Sequence, residues 1–92
     1  MGLYEWDRLK ARRNAWKHGV TFAEAETVFL DPNRLEMTDE THSMEEPRTV
    51  TIGWSSIGYL LVVITSEHGN RPPRIISARR ATKRERNAYA SR

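Results

Sequence analysis

From Tyr59 to Thr65 the chain is continuously apolar and rich in β-branched side chains. A run without polar alternation is the pattern of a central β-strand buried on both faces. With ninety-two residues and 38% hydrophobic content, the chain has material for one small core. The expectation is a single domain over residues 1–92, modestly stable and helped by a partner or dimer interface.

The other elements arrange themselves around that strand. Ser56-Ile57-Gly58 reads as a hairpin turn leading into it. Before the turn, Arg48 to Ser55 alternates, with Val50, Ile52 and Trp54 on one face and Thr49, Thr51 and Gly53 on the other. Arg34 to Asp39 alternates too, with Leu35 and Met37 predicted inward. A loop at 66–73 with two prolines precedes a strand over Arg74–Arg79. At the N-terminal end, Tyr4-Glu5-Trp6 predicts a short edge strand, and Asp7 caps a helix running to about Lys17. Leu9 and Trp16, with Ala15, form its expected buried stripe, and His18-Gly19 closes it. Thr21-Phe22-Ala23-Glu24 has capping-box spacing, and Val20 is placed to staple onto Ala25. Phe22, Ala25, Val28 and Phe29 recur at helical spacing until Asp31-Pro32 stops the helix. Thr82 and Glu85 make another capping box, opening a helix over Thr82–Tyr89. The expected class is α+β, in the order β-α-α-β-β-β-β-α.

Charge is distributed unevenly. Residues 1–20 carry +3, residues 21–70 carry −7 and residues 71–92 carry +7, for a net +3. Two readings stand side by side: nucleic acid on the basic face with a basic protein segment on the acidic one, or segments that neutralise each other within the fold. The absence of cysteine removes disulfides, thiolate metal sites and a cysteine nucleophile. Residues 1–7 lack the basic start and apolar stretch of a signal peptide, and Leu60–Ile64 is too short to span a bilayer. The expectation is a soluble cytoplasmic protein that makes no membrane contact.

His18, His42 and His68 fall in three separate loops without metal-ligand spacing, which argues against a metal site. No glycine-flanked nucleophile serine and no phosphate-cradling Gly-rich loop is present. A cofactor-free, arginine-rich site remains. Arg79 and Arg80 sit where a strand meets the amide-rich start of a helix, a place that suits a phosphate and equally suits solvated arginines. RNA cleavage is a reaction such a site can run, because the 2′-hydroxyl is its own nucleophile. Arg48, Arg74, Arg79, Arg80 and Lys17 can stabilise charge, and His18, His42, Glu46 or Glu85 can move protons. Glu46 pairing with Arg48, and Glu85 acting only as a cap, are the bland alternatives.

The strings Glu5-Trp6-Asp7, Lys17-His18-Gly19-Val20-Thr21-Phe22, Asp31-Pro32, His42-Ser43 through Glu46 and Arg48, Ile52-Gly53, and Arg74-Ile75-Ile76-Ser77-Ala78-Arg79 carry a resemblance that runs along nearly the whole chain. They resemble the BrnT family of toxins from bacterial type II toxin–antitoxin pairs. That resemblance implies a RelE-like fold: a small, mainly antiparallel sheet with two N-terminal helices and one C-terminal helix. It implies an RNA substrate and metal-independent endoribonuclease activity that arrests growth. It also implies a BrnA-like antitoxin with a ribbon-helix-helix domain, which docks in a dimer or heterotetramer and carries the complex to operator DNA. On the resemblance and the chemistry together, Arg48, Arg79 and Arg80 are expected to carry phosphate and transition-state charge. His42 and Glu46 are the acid–base candidates, and Lys17, His18, Arg74 and Lys83 the RNA contacts. The chain departs from the family pattern at Tyr59, where an arginine usually follows the hairpin glycine, and at Ser66-Glu67-His68, where another is common. Pro47 interrupts the loop before Arg48, and the 66–73 loop is long; Arg71 or His68 can stand in for the missing charge. Tyr59 and Glu67 favour a competing reading, an inactive fold relative serving a repressor complex, and the basic tail supports a third, a general nucleic-acid-binding domain.

Overall fold

The computed structural model describes residues 3–39 and 46–92. Four strands form an antiparallel meander in the order β1-β2-β3-β4: β1 Leu35–Thr38, β2 Arg48–Trp54, β3 Leu60–Ser66 and β4 Arg74–Arg80. Two helices, α1 Arg8–His18 and α2 Phe22–Glu26, precede the sheet, and α3 Lys83–Ala90 follows it. No helix among the described residues is long and apolar enough to cross a membrane.

β3 lies inside the sheet, with Leu60 to Val63 buried, as its unbroken apolar run predicts. Leu61 and Val63 face one side, where Val20, Phe22, Ala25, Val28, Ile75 and Ala78 complete the larger core. Leu60, Val62 and Ile52 face the other side, against Leu35, Val50, Ala81 and Tyr89. Each fully buried Val, Leu, Ile or Phe among them contributes roughly 1.5–3 kcal/mol.

The N-terminal edge strand is not formed as a strand. Glu5 makes a single parallel bridge to Arg74, its N–H donating to Pro73 O at 3.0 Å and its carbonyl accepting from Ile75 N–H at 2.8 Å. Tyr4 stacks on Phe29 with ring centroids 4.2 Å apart. The described order therefore begins with helices.

α1 is capped as expected: Asp7 accepts from Lys10 N–H at 3.0 Å, and Gly19, at φ 70°, donates to Ala15 O. Its buried face is a different one from that predicted. Trp16 is 90% exposed and Leu9 53%, while Asn14 is the one buried residue. The half-buried Ala11, Ala15 and His18 share a stripe with Asn14, at spacings of three and four. Small and amide side chains bring this helix close to β4. The Asn14 amide donates to Ala78 O at 2.7 Å and Val20 O at 3.0 Å, and its oxygen accepts from Ala78 N–H at 3.1 Å. Asn14 thus supplies the hydrogen bonds that a fifth strand would give the β4 edge.

α2 is shorter than predicted. After Glu26 the chain tightens into a 3-10 turn over Thr27–Leu30. Thr21 accepts from Glu24 N–H at 3.0 Å, but the Glu24 carboxylate accepts from Ser55 Oγ at 2.7 Å instead of reaching back to Thr21. Only half of that capping box forms, because its acid holds the β2–β3 hairpin. The Thr82–Glu85 box forms in full. Met37, predicted inward, is 44% exposed. It lies opposite Val50, on the sheet face that α3 covers only in part.

Candidate functional site

Residues paired across an antiparallel ladder share a face. Arg48 pairs with Ser66, and Ser66 with Arg74, so two arginines flank Ser66 in one row at the end of the sheet. Ile52, Val62 and Arg79 form a row on the same face, four residues further along β2, or roughly 13 Å. Between them lie the half-buried Val50, Ile64 and Ser77. A β-bulge at Ile64/Thr65 keeps Ile75 and Ala78 both in the larger core, leaving Arg74 and Arg79 on the opposite face.

At the Arg48 end, a carboxylate gathers one imidazole and two guanidiniums. Glu5 Oε2 lies 3.0 Å from His68 Nε2, 3.3 Å from Arg71 Nη2 and 3.7 Å from Arg74 Nη2. The two atoms of the Glu5–His68 pair are buried from solvent. Backbone geometry places them: the Glu5–Arg74 bridge fixes one, and the loop after β3 carries the other. That loop is tied down where Glu67 N–H donates to Pro47 O at 3.0 Å. Glu46 is exposed, two residues before Arg48. Asp39 N–H donates to Arg48 O at 2.9 Å, so the chain between β1 and β2 leaves and returns beside Arg48. His42 lies in that connection, outside the described residues.

Arg79 belongs to a different arrangement. Its two terminal nitrogens each donate to one Glu85 oxygen at 2.8 Å, a bidentate fork that also grips the start of α3. The bonds from Arg79, joined by the Thr82 N–H, outweigh burial and lower the Glu85 pKa to about 2. Arg80 faces the other side of the sheet, in the row of Leu61, with its guanidinium 4.0 Å above the Tyr59 ring. Lys83 is exposed in the first turn of α3. Lys17 and His18 line a groove of about 360 Å³ with Lys10, Arg13, Ile76 and Ser77, along the β4 edge.

The predicted residues therefore form separate groups. Arg48 and Arg74 come together with Glu46 nearby, Arg79 locks α3, Arg80 caps the hairpin end, and Lys17 and His18 sit across the β4 edge. Sequence reasoning missed Glu5, which is far from His68 and Arg74 in the chain and carries no local signal of joining them. An apolar hollow of about 330 Å³ lined by Leu3, Tyr4, Phe29 and Leu30 contains none of these groups.

A second organising acid is Asp31. It accepts from Trp54 N–H at 2.9 Å, the Tyr89 hydroxyl at 2.7 Å and Asn33 N–H at 2.9 Å. Burial pushes its pKa up, but these donors outweigh that and hold it below the usual value. The same burial and bond raise the pKa of Tyr89. Asp31 thereby joins β2 to α3, and Gly53 makes room for it. A Cβ at Gly53 would lie 2.8 Å from Val28 Cγ1 and 3.3 Å from Asp31 Oδ2.

Comparison with known proteins assigns the family and matches the fold. Residues 6–85 match the family model described as the ribonuclease toxin, BrnT, of a type II toxin–antitoxin system. The crystal structure of the Brucella abortus ribonuclease toxin BrnT superposes with a TM-score of 0.64 and 26% identity, over 87% of this chain and 96% of that one. No curated protein matches. The chain belongs to the BrnT family of ribonuclease toxins of type II toxin–antitoxin systems.

Proposed function

We propose that the chain is a metal-independent endoribonuclease whose reaction centre is the Arg48–Ser66–Arg74 end of the sheet. The observation that carries this reading is the single row holding Arg48 and Arg74, with the Glu5–His68 pair against Arg74. Two guanidiniums can bracket a phosphodiester and stabilise the additional negative charge of a phosphorane. His68, whose Nε2 lies 3.0 Å from Glu5 Oε2, has a second ring nitrogen for proton transfer, and Glu46 and His42 are the further acid–base groups of the adjoining segment. In the reaction, the 2′-oxygen loses its proton to the base and bonds to phosphorus. The P–O5′ bond then breaks and the leaving oxygen takes a proton, giving a 2′,3′-cyclic phosphate and a 5′-hydroxyl.

Arg79 acts here by positioning, since Glu85 fills its fork. Arg80, laid over Tyr59, supplies a guanidinium at the hairpin end. Lys17, His18 and Lys83 are outlying RNA contacts. In the cytoplasm, a BrnA-like ribbon-helix-helix antitoxin neutralises the toxin by docking on the acidic middle of the chain. That complex, a heterotetramer or dimer, reaches operator DNA through the antitoxin.

The test is cleavage of an oligoribonucleotide in chelator. The expected products end in cyclic phosphate and 5′-hydroxyl, a 2′-deoxy substitution at the cut site abolishes the reaction, and the antitoxin suppresses it. Cutting of the deoxy control, or products with 5′-phosphate, would contradict the mechanism. The second reading, an inactive binding module, is favoured by Tyr59 and by the committed Arg79. A folded chain that binds antitoxin but cuts no RNA would establish it.

A further inference from the structure

Trp16 stands out because an indole exposed to 90% buries almost nothing in its own fold. It shares a face of α1 with Leu9, seven residues earlier and 53% exposed, and with Arg12 and Arg13 one turn below. These residues and Lys17 line a shallow surface of about 600 Å³. α1 has five Lys and Arg residues and no acid. Arg13 and Lys17 also line the neighbouring groove, whose far wall is Ile76 and Ser77 of β4. Those two residues lie between Arg74 and Arg79 in the strand. The indole and the cationic groove thus form a track, joined through Arg13 and Lys17, that reaches the β4 edge.

We propose that this track is a subsite for single-stranded RNA flanking the cut. One base stacks on Trp16, and Arg13, Lys17 and Lys10 follow the backbone along the β4 edge towards Arg74. The inference rests on the RNA-cleaving reading and adds to it a place for substrate beyond the scissile phosphate. Charge complementarity favours RNA over a protein. Protein interface cores are depleted of charged side chains, whereas here lysine and arginine surround one isolated aromatic. An aromatic platform within a cationic groove is what sequence-tolerant binding of single strands uses.

The test measures binding of the full chain to a short mixed-sequence oligonucleotide with 2′-O-methyl sugars, which cannot be cut, by fluorescence anisotropy across a salt series. Trp16→Ala is expected to weaken binding roughly ten-fold with little change in salt slope, because it removes stacking and no charge. Trp16→Phe should recover most of the affinity. Arg13→Gln with Lys17→Gln should flatten the slope by about 0.7 per lost phosphate contact. If Trp16→Ala binds like the wild type while Arg48→Gln still abolishes cleavage, the subsite is overturned and the nuclease reading stands. A Trp16→Ala chain that loses only antitoxin binding likewise overturns it, in favour of a protein dock. If the wild-type chain neither binds nor cuts RNA, subsite and nuclease reading fall together.

Discussion

Arg79 and Glu85 are joined by two parallel hydrogen bonds of 2.8 Å, and the same carboxylate accepts from Thr82 N–H at 2.8 Å. One acid therefore fixes both the end of β4 and the first turn of α3. Arg79 is the principal reason its pKa falls to about 2 from an ordinary 4.5. A depressed folded-state pKa contributes stability that is fully present above the unfolded value and is lost as pH falls through the folded one. Thermal melts between pH 6 and pH 2 should show this loss beginning near 4.5 and continuing to about 2. Glu85→Gln should be less stable at neutral pH by about 1–2 kcal/mol and should flatten the acid limb over that window. An unchanged acid limb in the variant would show that the pair contributes no pH-dependent stability.

Gly53→Ala should destabilise the protein by about 1–3 kcal/mol through overpacking, since the added methyl meets Val28 at 2.8 Å. The Asp31 clamp would be pushed away with it. Denaturant unfolding should therefore find Gly53→Ala and Tyr89→Phe less than additive. Full additivity would mean that Gly53 does not act through Asp31.

Asn14 and Trp16 make a contrast within one helix. Asn14→Ala leaves the Ala78 N–H without its partner in a buried place, which should cost about 1–3 kcal/mol. Trp16→Ala, at a 90% exposed position, should change stability by no more than about 0.5 kcal/mol. The reverse ranking in chemical denaturation would restore the conventional apolar packing of α1.

The Glu5–His68 pair predicts a division of labour. His68→Gln should lower kcat for RNA cleavage by roughly 10²-fold if it moves a proton. Glu5→Gln should give a smaller loss and an altered pH–rate profile, because the imidazole remains but its orienting charge is gone. If both variants retain the wild-type profile, the pair only ties the N-terminal segment to the loop after β3.

What could be read directly from the sequence was local. The buried β3, the hairpin before it, the Thr82–Glu85 box and the Gly19 stop all depend on neighbours within a few residues. The misreadings come from long-range physics. Leu9 and Trp16 have a spacing that fits either a core or a partner surface, and nothing local separates the two. Asn14 packs α1 because a β4 edge waits more than sixty residues away. Glu24 forms half a box because Ser55 competes for its carboxylate. Of the candidate site, the arginines were visible as charge, but their grouping depends on strand register and on the bulge opposite Ile64/Thr65. Glu5 gave no signal, since its partners arrive only through the bridge to Arg74.

The most direct measurement of the central proposal is RNA cleavage in chelator by four folded variants under single-turnover conditions. Arg48→Gln and Arg74→Gln should each lose roughly 10²–10³-fold in rate, as expected when a transition-state charge donor is removed. Arg80→Gln and Lys83→Gln should stay within about ten-fold of the wild type, because they are further from the Ser66 row and carry no more than general backbone attraction. Losses concentrated in Arg80 and Lys83, with Arg48 and Arg74 dispensable, would contradict the account and move the reaction centre to the α3 end of the sheet.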